Sequence, residues 1–186
     1  MLPPVGALSA DYTVYPNGTA YSASVQISDV ARYEFADVGL LGENVPINVG
    51  NVRLSGNCSP CEYNWSSQWG SPPFITFPRG NYTLSYMAPL RDNHLQANYG
   101  KAYQVNVTLP QEFDVRNPLL AGISVGADVT RHEDNTTQVT WNKTSSFDLR
   151  FYTQSRESLL YLFGNFMIII AIALLLPFLL MRKKAK

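Results

Sequence analysis

AYQVNVTLP, residues 102–110, decides the fold. Tyr103, Val105, Val107 and Leu109 fall on one face, with Gln104, Asn106 and Thr108 on the other. Successive side chains of an extended chain point to opposite sides, so strict alternation marks a strand with one face in a core and one in water. The same period of two recurs along the chain. In NYTLSYM (81–87), Tyr82, Leu84 and Tyr86 oppose Asn81, Thr83 and Ser85. Val139 and Trp141 oppose Gln138, Thr140 and Asn142, and Phe147, Leu149 and Phe151 oppose Asp148 and Arg150. Turn signals separate these runs: the Asn-Gly of YPNGTAY (15–21), then SSQWGSPP (66–73), FPRGNY (77–82) and HEDNTT (132–137). Strands without interspersed helices predict an all-β domain over residues 11–153, an antiparallel β-sandwich of two sheets. Residues 29–57 mix alternation with Gly and Pro and leave room for a short helix.

The polar faces of these strands carry a second pattern. Asn-x-Ser/Thr, the acceptor triplet for N-linked glycan, occurs at Asn17, Asn57, Asn64, Asn81, Asn106, Asn135 and Asn142. Chance placement in a chain with this Ser and Thr content would give roughly two such triplets. Asn81, Asn106 and Asn142 lie on the polar sides of predicted strands, and Asn17 and Asn135 at predicted hairpin tips. A glycan can be carried only where the side chain meets solvent, so the two patterns agree on an exported, glycosylated domain.

SLLYLFGNFMIIIAIALLLPFLLM, residues 158–181, contains no charge. About 20 apolar residues in a helix cross the ~30 Å hydrocarbon layer, and Pro177 is tolerated near the end of such a helix. The segment predicts one transmembrane helix, joined to the domain by a juxtamembrane linker at 154–157. Asn165, its one strongly polar side chain, could join helices or face headgroups, and takes no assigned role. Arg182, Lys183, Lys184 and Lys186 follow in a basic tail over 182–186, and positive charge at a span end stays in the cytoplasm. All seven acceptors precede the span, which predicts type I topology: a cell-membrane protein with its domain outside and its C-terminus inside. Residues 1–10 read as the remnant of a signal peptide whose basic start and apolar body lie upstream.

Fourteen Lys and Arg balance fourteen Asp and Glu. Four of the cations stand in the tail, and the rest are scattered among acids, which argues against a nucleic-acid partner. The expected partners are the lipid bilayer and a protein of the membrane or envelope.

Candidate chemistry is sparse. Cys58 and Cys61, in NCSPCEYNW (57–65), are the only cysteines, at a spacing shared by redox centres, metal knuckles and small structural disulfides. A zinc site needs a second such pair or two placed histidines, and a thioredoxin-type centre needs a strand-to-helix junction; neither is in the pattern. In an oxidising compartment a disulfide closing the loop is the plainer reading, with a redox or metal role as the alternative. His94 and His132 are the only histidines, and Met87 with His94 makes no copper set. No motif of nucleophilic, metal-dependent or phosphate chemistry is found, so no catalytic residue, metal ligand or cofactor is assigned and the expectation is a non-enzyme. A hydrolase using carboxylates would need a cleft lined by paired acids. Trp65 and Trp69, beside the cysteines, are a candidate binding surface for glycan or protein, or else close one end of the sandwich.

From residue 103 onward the chain resembles a family of uncharacterised archaeal membrane-anchored proteins. The stretches that carry the resemblance are YQVNVTLPQEFDVRNPLLAGIS (103–124) and QVTWNKTSSFDLRFYTQSRESLLYLFG (138–164), leading into a single C-terminal span. The resemblance implies a signal peptide, an external β-rich domain and an anchor, and brings no activity and no catalytic residues. The expected role is therefore non-catalytic: binding or structural support at the cell surface, or an accessory subunit of a membrane or envelope complex.

Overall fold

A computed structural model describes the backbone of residues 8–184 except 40, 41 and 59, and side chains as far as Leu176. Thirteen strands precede one helix among these residues: β1 Leu8–Val14, β2 Ala20–Glu34, β3 Ala36–Val38, β4 Asn44–Pro46, β5 Gly50–Ser55, β6 Asn64–Ser66, β7 Phe74–Pro89, β8 His94–Leu109, β9 Phe113–Asp114, β10 Gly122–Ile123, β11 Ala127–Arg131, β12 Thr137–Arg150, β13 Tyr152–Thr153 and α1 Gln154–Lys184.

Nine strands form one sheet in the order β10-β12-β8-β1-β2-β7-β5, with β11 also on β12 and β6 also on β7. The alternation is borne out where it decided the fold. Val105, Val107 and Leu109 are fully buried and Tyr103 nearly so, as are Leu84, Tyr86, Val139, Trp141, Phe147, Leu149 and Phe151. Burying each such side chain contributes about 1.5–3 kcal/mol relative to leaving it in water.

The antiparallel expectation needs a correction. β1 lies between β2 and β8 and runs parallel to β8, with Ala10 opposite Val105 and Tyr12 opposite Val107. Alternation gives a strand's faces and not its direction, so nothing in the period distinguished this pairing. The sheet is mixed.

The two-sheet sandwich is borne out only in part: nine strands join in one continuous sheet, with two small two-stranded sheets, β13-β9 and β3-β4, beside it. β2, β7, β8 and β12 are long strands that continue through irregularities, and the FPRGNY segment is such a place inside β7 rather than a break. β2 shifts register around Asp29, which has a positive φ of 57°. β12 shifts twice between Trp141 and Ser146, and β8 passes through Gly100 at φ 67°. A bulge bends its strand, so one strand can serve two limbs of a folded-over sheet. The rings show the folding. Trp141 and Phe147, on either side of the β12 bend, have centroids 5.1 Å apart, and Tyr12 of β1 meets Phe147 at 5.3 Å. One sheet thus closes over one aromatic core.

Among the described residues of 29–57 there is no helix: they finish β2, pair as β3 and β4, and enter β5. The boundary set at residue 10 also moves. Leu8, Ser9 and Ala10 belong to β1, and Ala10 is fully buried against its neighbours, while residues 1–7 lie outside the described residues. At the other end the expected linker 154–157 is the first turn of α1, since Gln154 follows β13 directly and its backbone N–H finds a carbonyl acceptor on Glu112 at 3.3 Å. From Gln154 to Leu176 the helix is long and apolar enough to cross a membrane, and none of its apolar stretch is buried inside the protein. The backbone of Arg182, Lys183 and Lys184 continues the helix; Lys186 lies outside the described residues.

Candidate functional site

Three places could carry function: the cysteine loop, a cavity inside the sheet, and the joint with α1. The cysteine loop connects β5 to β6. Its backbone turns back on itself because Gly56 N–H donates to Cys58 O and Cys61 N–H donates to Leu54 O. Cys58 and Cys61 are disulfide-bonded, with Cα atoms 5.1 Å apart. Cys61 is buried in the core cluster, and Cys58 is exposed. Because β5 and β6 pair with different halves of β7, the loop between them leaves an open groove of about 1390 Å³, walled by Arg53, Cys58, Glu62, Tyr63, Pro78 and Tyr82. The cysteine pair sits between two strands, and among the described residues no helix N-terminus faces it to stabilise a thiolate.

The two tryptophans have different fates. Trp65, on β6, stacks on Phe35 with centroids 5.6 Å apart and is 46% exposed. Trp69 is fully exposed in the following loop. Closure of the domain end accounts for Trp65 alone. Of the acceptor asparagines, six are exposed and Asn106 is half-buried. Asn106 Nδ2, the atom a glycan would take, donates to Asp11 Oδ1 at 2.8 Å, while its Oδ1 accepts from Thr140 Oγ1 at 3.1 Å.

Inside the fold, a cavity of about 200 Å³ lies between the limbs of β2 and β8. Six of the eleven tyrosines line it: Tyr12, Tyr21, Tyr33, Tyr86, Tyr99 and Tyr103. Their hydroxyls bond inward: Tyr99 donates to Tyr12 at 2.9 Å, and Tyr103 donates to Gln26 O at 2.7 Å. Burial pushes the Tyr33 phenol up to about 12, and Tyr12 and Tyr86 well above the ordinary range. These groups stay neutral at physiological pH. Tyr21, Asp37, Ile47 and Gln96 also face a second cavity of about 160 Å³, which includes His94. Burial raises the Asp37 carboxyl, opposed by His94 and Arg91. His94 Nε2 stands 3.0 Å from Asp148 Oδ2 but out of line for a hydrogen bond. Met87 is engaged elsewhere, accepting from Asn51 Nδ2 at 2.9 Å, and His132 pairs with Gln138 at 2.9 Å. Among the described residues no three His, Cys, Asp or Glu side chains converge as a metal set.

Sequence reasoning missed this cavity. Its tyrosines occupy core-facing positions of alternating strands, where a phenol counts as one more apolar residue. The signal available was their number, but the bends that gather them have no mark in the period.

The joint with α1 holds a cluster of side-chain hydrogen bonds. β9 pairs with β13, setting Asp114 opposite Tyr152. The Asp114 carboxylate, 2% exposed, accepts from Val115 N–H at 2.7 Å, from Arg116 N–H at 2.9 Å, and from the Arg116 guanidinium at 2.5–3.0 Å. Burial alone would raise its pKa; the Arg116 guanidinium and the two backbone N–H groups outweigh burial and hold it below the usual range. Tyr152 is buried, and its hydroxyl accepts from Asn117 N–H at 3.1 Å. Asn117 Nδ2 donates to Glu157 in the first turn of α1 at 3.3 Å, and Gln154 Nε2 donates to Gln111 O at 2.9 Å. The domain and the start of the helix are one bonded unit.

The chain belongs to the family of unknown function DUF5803, whose model matches residues 9–184. That match takes in the N-terminal half as well as the stretches beyond residue 103. No curated protein matches the chain.

Proposed function

We propose that this chain is a single-pass, N-glycosylated surface protein of type I topology with a non-catalytic binding or structural role, acting in the envelope or as an accessory subunit of a membrane complex. One observation carries the reading: beyond its first turn α1 is apolar on every side with no buried residue in its apolar window, and it starts in the residue after β13. In water such a helix would expose a large apolar area; in a bilayer it needs no other partner. The acceptor asparagines support an outward-facing domain, since six of the seven are exposed. The archaeal setting comes from the resemblance of residues 103–164, and it suits dense acceptors. An upstream signal peptide would be required for the orientation.

The test is native purification of the tagged full-length protein from membranes in mild detergent, with glycopeptides and companions identified by mass spectrometry. Carbonate-resistant membrane association, glycan on at least some acceptors, and a stoichiometric companion are the expected results. A protein released by carbonate and carrying no glycan would refute the reading. A second reading, an extracytoplasmic redox protein, draws on the exposure of Cys58 at the groove wall. Thiol trapping separates the two: a redox centre cycles between trapped and untrapped forms, and a structural staple does not react under native conditions.

A further inference from the structure

We infer that the turn Pro118–Leu119–Leu120 inserts into the outer headgroup layer of the bilayer, giving the domain a second contact with lipid beside α1. This rests on α1 being a span. Leu119 is 80% exposed, an unusual position for a leucine in an ordered turn. The turn is fixed rather than loose: Leu119 N–H donates to Asn117 Oδ1 at 3.1 Å, and Leu120 and Ala121 N–H donate to Asn117 O at 3.0 and 2.9 Å. Asn117 also sets its height, because Nδ2 reaches Glu157 and the backbone N–H reaches the Tyr152 hydroxyl. Glu157 lies about 5 Å along the helix from Gln154, and the apolar run begins two residues later at Leu159. Asn117 is therefore level with the polar boundary of the span, where headgroups lie. Arg156, exposed in the same helical turn, can reach lipid phosphate from there. The tie of this turn to the first turn of the apolar helix, through Asn117 and Glu157, selects lipid as the occupant over a protein surface. Val125 is as exposed, but its turn is tied to β12 through Ser124 and not to the helix, so it serves as the control.

The experiment uses the full chain in nanodiscs of mixed phosphatidylcholine and phosphatidylglycerol, with an environment-sensitive fluorophore on one introduced cysteine at a time. The variants are Leu119→Cys, Val125→Cys and Phe166→Cys; the native cysteines are bonded to each other and do not take the label. The label at 119 is expected to be quenched by headgroup-proximal spin-labelled lipid, and to be protected from aqueous iodide several-fold relative to the label at 125. Equal iodide access at 119 and 125, with the label at 166 quenched by lipid, overturns the insertion while leaving the span in place. A label at 166 that lipid does not quench removes the span, and the insertion with it.

Discussion

The joint with α1 and the cysteine edge are built on opposite plans. At the joint, the buried Asp114 carboxylate fixes the local chain through Val115 and Arg116, Asn117 reaches both Tyr152 and Glu157, and Gln154 bonds Gln111 and Glu112, so domain and helix cannot move apart without breaking several bonds together. At the edge, the loop between β5 and β6 closes on its own disulfide, Trp65 of β6 stacks on Phe35, and Trp69 beyond stands in water. The difference separates holding from meeting. Bond density belongs where the domain is positioned, and open side chains where an outside surface can be recognised.

Substitutions should grade accordingly. Tyr152→Ala removes a fully buried ring and orphans Asn117 N–H, and is expected to cost about 3–5 kcal/mol in chemical denaturation of the purified protein. A loss under 1 kcal/mol would mean the joint is not a cooperative part of the fold. Asp114→Ala comes next, at about 2 kcal/mol, because the buried N–H of Val115 loses its acceptor while Arg116 can turn to water.

The same carboxylate predicts a pH dependence. Its folded pKa is depressed, so its stabilisation is complete above the unfolded value of about 3.9 and is lost as pH falls through the lower folded value. Thermal melts across that acid range should show a steeper loss for the native chain than for Asp114→Asn, and parallel curves would remove the assignment.

On the cysteine edge, replacing both Cys58 and Cys61 by Ser should cost no more than about 2 kcal/mol, since the closed loop is short. Trp69→Ala is the smallest, within about 0.5 kcal/mol, because the ring touches nothing to lose. If Trp69→Ala leaves stability unchanged but strips a co-purifying companion, the edge is the recognition surface.

What could be read beforehand follows the same division. Core faces were legible because burial imposes a period of two: Val105, Val107 and Leu109 are where the alternation puts them. The apolar helix was legible because lipid requires a long uninterrupted run. Direction and bending were not. Ala10, Tyr12 and Val14 would alternate identically in a parallel or antiparallel neighbour, and the bulge after Trp141 occurs in a polar run without Gly or Pro to mark it. The joint escaped because Asp114 and Tyr152 are single residues in short strands, given meaning only by their partners.

The place of β1 sets an order of assembly. It can hairpin onto β2 as soon as both are made, but its other neighbour, β8, supplies contacts such as Asn106 to Asp11 across 95 residues of sequence. Until that late strand is made, the hairpin has a bare edge open to other chains, and closing so long a loop is slow. β12 then needs β8 as its template, and α1 comes last. The middle of the sheet is therefore sealed only once β8 is made, and the step most exposed to misassembly is the arrival of the very segment, 103–109, whose alternation is plainest.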